Sequence, residues 1–236
     1  MQYPNEEDVS IKVLWRELKE DDIDSAYEVH KQSIPPIHGM VRPDSREQFE
    51  NHISSLGVII GGFTDEQKLV AYGILDFNSS NKHHLCEHLK FSTTESETIA
   101  VLDGAATLPS FRGHHLHRIA ISQRILLAAS KGFKKIVATV APSNTRSLRG
   151  LLDSGLRVID HGKFYNGLDR LIVMSSTNVD ESNITYKFIE YVISKNMFEH
   201  QASLSKKLIG YECVKETILG NTDWYIKYGL KNNYKL

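Results

Sequence analysis

One stretch, residues 98–142, constrains this 236-residue chain more than any other. TIAVLDGAATL (98–108) is rich in apolar and β-branched residues and predicts a strand that Pro109 ends. The polar turn SFRGHH (110–115) feeds LHRIAISQRILLAASKG (116–132), a periodic helix stopped by Gly132. FKKIVATVAP (133–142) predicts a further strand. A turn that runs into a long helix leaves several backbone N–H groups without acceptors at the helix start. Those groups and the helix dipole favour an anion, a pyrophosphate in particular. Arg112 can add a charge-assisted contact to it.

The flanking segments predict a mixed architecture. Residues 11–16 alternate as a first strand, and a helix follows over about 21–32, with Asp21, Asp22 and Asp24 at its positive end. SIPPIHG (33–39) breaks it, and a second helix runs over about 45–54. GVIIGGF (57–63) and KLVAYGILDF (68–77) around TDEQ form a hairpin. Segment 78–97 is polar and reads as a solvated loop; its His83, His84 and His88 match no metal spacing. TRSLRGLLDSG (145–155) is a short helix capped by Asn144 or Ser143 and closed by Gly155. LRVIDHGKFY and LDRLIVM flank Asn166-Gly167, a strong hairpin signal. The tail, 178–236, changes character: a helix near 198–209, then YECVKETIL and DWYIKYGL as a hairpin. Its edge strands could extend their own sheet, pair with a second copy of the chain as a homodimer, or cover the end of the first domain.

Bulk properties remove several function classes. A formal net charge of -1 lacks the basic excess of a general nucleic-acid binder. No apolar run approaches the roughly 20 residues a membrane helix needs, and MQYPNEEDVS has no signal-peptide pattern. Two distant cysteines, Cys86 and Cys213, argue against a disulfide framework. The expectation is a cytoplasmic protein without nucleic-acid or membrane partners and without a metal or redox cofactor.

Two segments in this order resemble the GCN5-related N-acetyltransferase (GNAT) superfamily, over roughly residues 11–176. ATLPSFRGHHLHRIAISQRIL is similar to the family's coenzyme A motif, a hydrophobic-x-Pro strand end, then Arg/Gln-x-x-Gly-x-Gly/Ala and a helix. Thr107, Leu108 and Pro109 occupy the first part, and Arg112, Gly113, His114, His115, Leu116 and His117 the second. His115 stands where the family has its central glycine, and His117 where Gly or Ala is common. If protonated, such an imidazole could attract phosphate. The segment from Val140 to Met174 is similar to the later motif Asn-x-x-Ala/Ser-x-x-x-Tyr-x-x-x-Gly-Phe, with Asn144, Ser147, Gly155 and Leu156 in place. Leu151 stands where many members carry a tyrosine general acid, so that role does not transfer to residue 151.

The resemblance implies an α+β (mixed α/β) fold, a central, mostly antiparallel mixed sheet flanked by helices, for a domain over residues 1–177; the tail's own pattern adds a C-terminal helix-hairpin segment over 178–236. It also implies acetyl-CoA as co-substrate and direct attack by a small-molecule or protein amine. The alternative is a coenzyme A-binding module of little or no turnover acting in regulation or protein interaction. The backbone of Ala105, Ala106, Thr107 and Leu108 would face the thioester. Asp103, an acid inside an apolar strand, is the candidate base, or else an edge residue paired with a cation. Tyr165, before the Asn-Gly turn, is the candidate acid, or else a packed wall. His38 and Arg42, in the loop between the first helices, are candidate acceptor contacts, Arg42 suiting a carboxylate.

Overall fold

The computed structural model describes residues 11–34, 43–177 and 184–232. Its strands are β1 (Leu14–Glu17), β2 (Gly57–Phe63), β3 (Leu69–Asp76), β4 (Ile99–Thr107), β5 (Lys135–Val140), β6 (Arg157–Phe164), β7 (Leu168–Ser176), β8 (Tyr186–Ile193), β9 (Ile209–Ile218) and β10 (Asn221–Lys231). The helices are α1 (Ile23–Ser33), α2 (Arg46–Asn51), α3 (Ser80–His88), α4 (Thr93–Glu97), α5 (Leu116–Ser130), α6 (Thr145–Asp153) and α7 (Met197–Ser205). All ten strands join one sheet in the order β1-β2-β3-β4-β5-β7-β6-β9-β10-β8. Every pairing is antiparallel except β4 with β5.

Strand alternation builds two layers of helices. Ala100 and Leu102 on β4, and Ile136, Ala138 and Val140 on β5, share a core with Ile121 of α5 and Leu148 and Leu152 of α6. The intervening Ile99, Val101 and Val137 pack with Leu85 and Cys86 of α3 instead. On that same side Val70, Tyr72 and Ile74 of β3 meet Val29 of α1 and Phe49 of α2.

Three segments depart from the sequence reading. Residues 78–97 are not a loop: Ser79 caps α3, and Ser92 with Glu95 forms a capping box for α4. Low apolar content hid these helices, but their caps were legible. His88 Nε2 donates to the His161 carbonyl of β6 at 3.1 Å, and His84 packs on Phe164. The second helix ends early and continues as a π turn over His52–Leu56. The tail contains β8, which the sequence reading lacked, and α7 stops at Ser205 rather than near 209. The tail hairpin extends the chain's own sheet, with Val158 of β6 opposite Gly210 of β9.

Candidate active site

The site is a break in the sheet. β4 and β5 pair only at Ile99–Lys135, Ala100–Ile136 and Val101–Val137. Beyond those residues the two strands separate. β4 also carries a bulge, because its register against β3 shifts between Gly73 and Leu75, opposite Asp103 and Gly104. Leu102, Asp103, Gly104 and Ala105 on one arm and Ala138, Thr139, Val140 and Ala141 on the other line a cleft of about 110 Å³.

Its α5 face holds His117, Asn144, Ser147 and Leu151. His117 is half-buried beside Gly150, where a Cβ would lie 2.8 Å from Nδ1. Burial first, and the Arg124 charge second, push its pKa down to about 4. His117 is therefore neutral near pH 7, which removes it as a charged phosphate ligand. Asn144 caps α6, accepting from the Ser147 N–H at 3.3 Å. Leu151 is buried and places an aliphatic group on the cleft wall.

The opposite face holds Asp44, Asp103, Thr139, Tyr165 and Arg170. Asp44 was missed by sequence reasoning, because it sits in a polar loop and only folding brings it to β4. Its N–H donates to His30 Nε2 at 2.9 Å, and its carboxylate lies against Gly104, where a Cβ would meet Oδ2 at 2.8 Å. His30 Nδ1 then carries the proton and donates to the Tyr72 hydroxyl at 2.6 Å. Tyr165 adopts φ 50 and Asn166 φ 64, so the turn between β6 and β7 takes three residues, ending in Gly167 at φ 95. A tyrosine in the left-handed region is strained. The Tyr165 hydroxyl stands 3.0 Å from Thr139 Oγ1, and the Arg170 guanidinium lies 5.5 Å over its ring.

Between the faces sits Arg124 of α5, 1% exposed. It donates to the carbonyls of Ala120 at 3.0 Å, Ile74 at 2.8 Å and Asp103 at 3.4 Å. Burial lowers its pKa to about 10 against the opposing pull of Asp103 and Tyr72. Gly73 makes its space: a Cβ there would lie 2.7 Å from Nε.

At the mouth, Gly113 (φ 93) and His115 (φ 56) are both left-handed. His115 is the residue preceding α5 and keeps the backbone shape that glycine would take there freely. Helix geometry leaves the amides of Leu116, His117 and Arg118 without acceptors inside α5, while Ile119 donates to the His115 carbonyl at 3.1 Å. His115 is exposed and His114 half-buried. Arg112 Nη2 donates to the Ser33 carbonyl at 2.8 Å, tying the turn to the end of α1. On β4, Ala106 sits opposite Tyr72 and Thr107 opposite Ala71; the Leu108 N–H is taken by the Val70 carbonyl at 2.9 Å and its side chain is in the core. His38 and Arg42 lie outside the described residues.

No protein-family model and no curated protein matches this sequence. Solved structures do match its fold. The ribosomal-protein-S18-alanine N-acetyltransferase from Escherichia coli aligns at TM-score 0.51 and 14% identity, over 74% of this chain and 100% of its own. A GNAT superfamily phosphinothricin acetyltransferase from Sinorhizobium meliloti, solved in complex with AcCoA, aligns at 0.53 and 13% identity, over 70% of this chain and 88% of its own. An N-acetyltransferase from Staphylococcus aureus Mu50 aligns at 0.52 and 13%, over 71% and 99%.

Proposed function

We propose that this chain, which has the fold of the GNAT superfamily acetyltransferases, binds acetyl-CoA and transfers its acetyl group to an amine by direct attack. The observation that carries this reading is the separation of β4 from β5 beside the amide-rich start of α5. A diphosphate would sit on the amides of residues 113–118, with the remaining Arg112 donors beside it. The pantetheine arm would enter between the strands, and the thioester would reach the bulge.

The amine would approach from the opposite face. Asp103, with Asp44 beside β4, would take its proton, and the nitrogen lone pair would then attack the thioester carbon. The backbone N–H of Ala105, which strand alternation turns away from β3, would face the developing oxyanion, a contribution of roughly 10²–10³-fold in rate. The carbon–sulfur bond then breaks, Tyr165, held at Thr139, would protonate the departing thiolate, and the second proton of the new amide nitrogen would restore the tyrosine hydroxyl. Acid–base assistance of this kind contributes about 10²–10⁴-fold.

A second reading, a coenzyme A-binding module of little turnover, is favoured by Leu151, which offers no hydroxyl on the α5 face. Two measurements separate the readings. Acetyl-CoA should raise the melting temperature under both. Free thiol should appear with an amine panel only under the first, and Asp103→Asn should lower that rate by about 10²-fold or more. No thermal shift at millimolar acetyl-CoA would sink both.

A further inference from the structure

We propose that His52, Asp76 and Asp103 form a binding site for one divalent transition-metal cation, which pins the turn after α2 to β3 and to the bulge of β4. The inference does not depend on the acetyl-transfer reading, although the two share Asp103. His52 is 4% exposed. Its Nδ1 lies 2.7 Å from the Gln48 carbonyl, which can only accept, so Nδ1 carries the proton and Nε2 presents a lone pair. That Nε2 is buried and has no hydrogen-bond partner. Nε2 and one carboxylate oxygen each from Asp76 and Asp103 lie within 4.8 Å of one another.

The surroundings are those of a ligand set. Asp76 is fully buried; its Oδ1 accepts from the N–H groups of Asn78 and Ser79, each at 2.9 Å, and its Oδ2 from the Ser79 hydroxyl. Outer hydrogen bonds of this kind, like the Gln48 carbonyl on Nδ1, fix the orientation of metal ligands. The converging atoms are one imidazole nitrogen and one oxygen from each of two carboxyl groups, the atom types that ligate a cation. A dication placed among them would accept a lone pair from each of the three. One imidazole and two carboxylates suit Zn²⁺, Mn²⁺ or Fe²⁺ better than the all-oxygen preference of Ca²⁺ or Mg²⁺. Zinc–ligand bonds of about 2.0–2.2 Å would draw the three side chains inward from their present spacing. Asp103 also lines the cleft, so the cation would act as a positioning element for that carboxylate.

The test uses the full chain, stripped with a chelator and dialysed. Titration calorimetry with Zn²⁺ and Mn²⁺ should find one equivalent bound, and Co²⁺ should give a visible ligand-field band. His52→Gln and Asp76→Asn should each weaken binding at least about tenfold. His83→Ala/His84→Ala, which removes exposed imidazoles, should leave it unchanged. Should the buried variants fail to fold, anomalous diffraction from Co²⁺-loaded wild-type crystals decides. A peak between His52, Asp76 and Asp103 supports the site. No stoichiometric binding, binding indifferent to both variants, or a peak elsewhere overturns it. Loss of metal binding with acetyl transfer intact would strike this proposal alone, and the reverse would strike only the proposed reaction.

Discussion

His115 shows how one residue carries a backbone conformation its side chain disfavours. At φ 56 it holds the turn that opens α5, at a cost of about 1–2 kcal/mol relative to a right-handed position. His115→Gly should therefore raise stability by about 1 kcal/mol, read from the denaturant midpoint. Gly73 is the converse case. A methyl group there would strike the Arg124 guanidinium, so Gly73→Ala should cost roughly 1–3 kcal/mol and disturb the bulge at Asp103. Two imidazoles set a pH dependence. His200 is fully buried, its Nε2 donating to the Ser194 carbonyl at 2.8 Å and its Nδ1 accepting from the Tyr228 hydroxyl at 2.9 Å. Burial drives its pKa, like that of His117, down to about 4 from 6.5. In the unfolded chain both groups take protons near pH 6.5, while the folded chain resists until about 4. The unfolded state thus binds more protons as pH falls through that window, and stability is lost on acidification but flat above it. His200 alone should contribute on the order of 3 kcal/mol of this loss. Melting curves between pH 8 and pH 4 check it: His200→Gln should flatten the slope by about one proton.

At the scale of elements, the turn between β4 and α5 does two jobs. It shapes the acceptor-free amides at the start of α5, and through Arg112 it anchors the end of α1 at Ser33. Arg112→Ala should lower the melting temperature of the unliganded protein and also reduce the shift produced by acetyl-CoA. An unchanged ligand shift would place the phosphate elsewhere. Capping chemistry identified α6 through Asn144, and it marks α3 and α4 too, although the sequence reading passed over Ser79 and Ser92; each of the three accepts from the amide three residues on. Periodicity served long elements such as α5 and failed for α3 and α4, which are too short and polar to show a stripe.

For the whole molecule, the tail is part of one core. Val192, Leu208, Cys213, Ile226 and Tyr228 pack with Leu148, Leu151, Leu152 and Val158. Ending the chain at residue 177 would uncover those four side chains and one edge of β6, so such a fragment should aggregate or melt well below the full chain. Size-exclusion and calorimetry of both lengths test this. Local sequence determined the strand–turn–helix at 98–132, the hairpins and the α5 mouth, because strand alternation, caps and turn residues act over a few positions. The separation of β4 from β5, the arrival of Asp44 and Arg124 at Asp103, and the neutral state of His117 were decided only by tertiary structure. Those features depend on register and burial between residues tens of positions apart, and no local pattern encodes how far two strands stay paired or which side chains lose water.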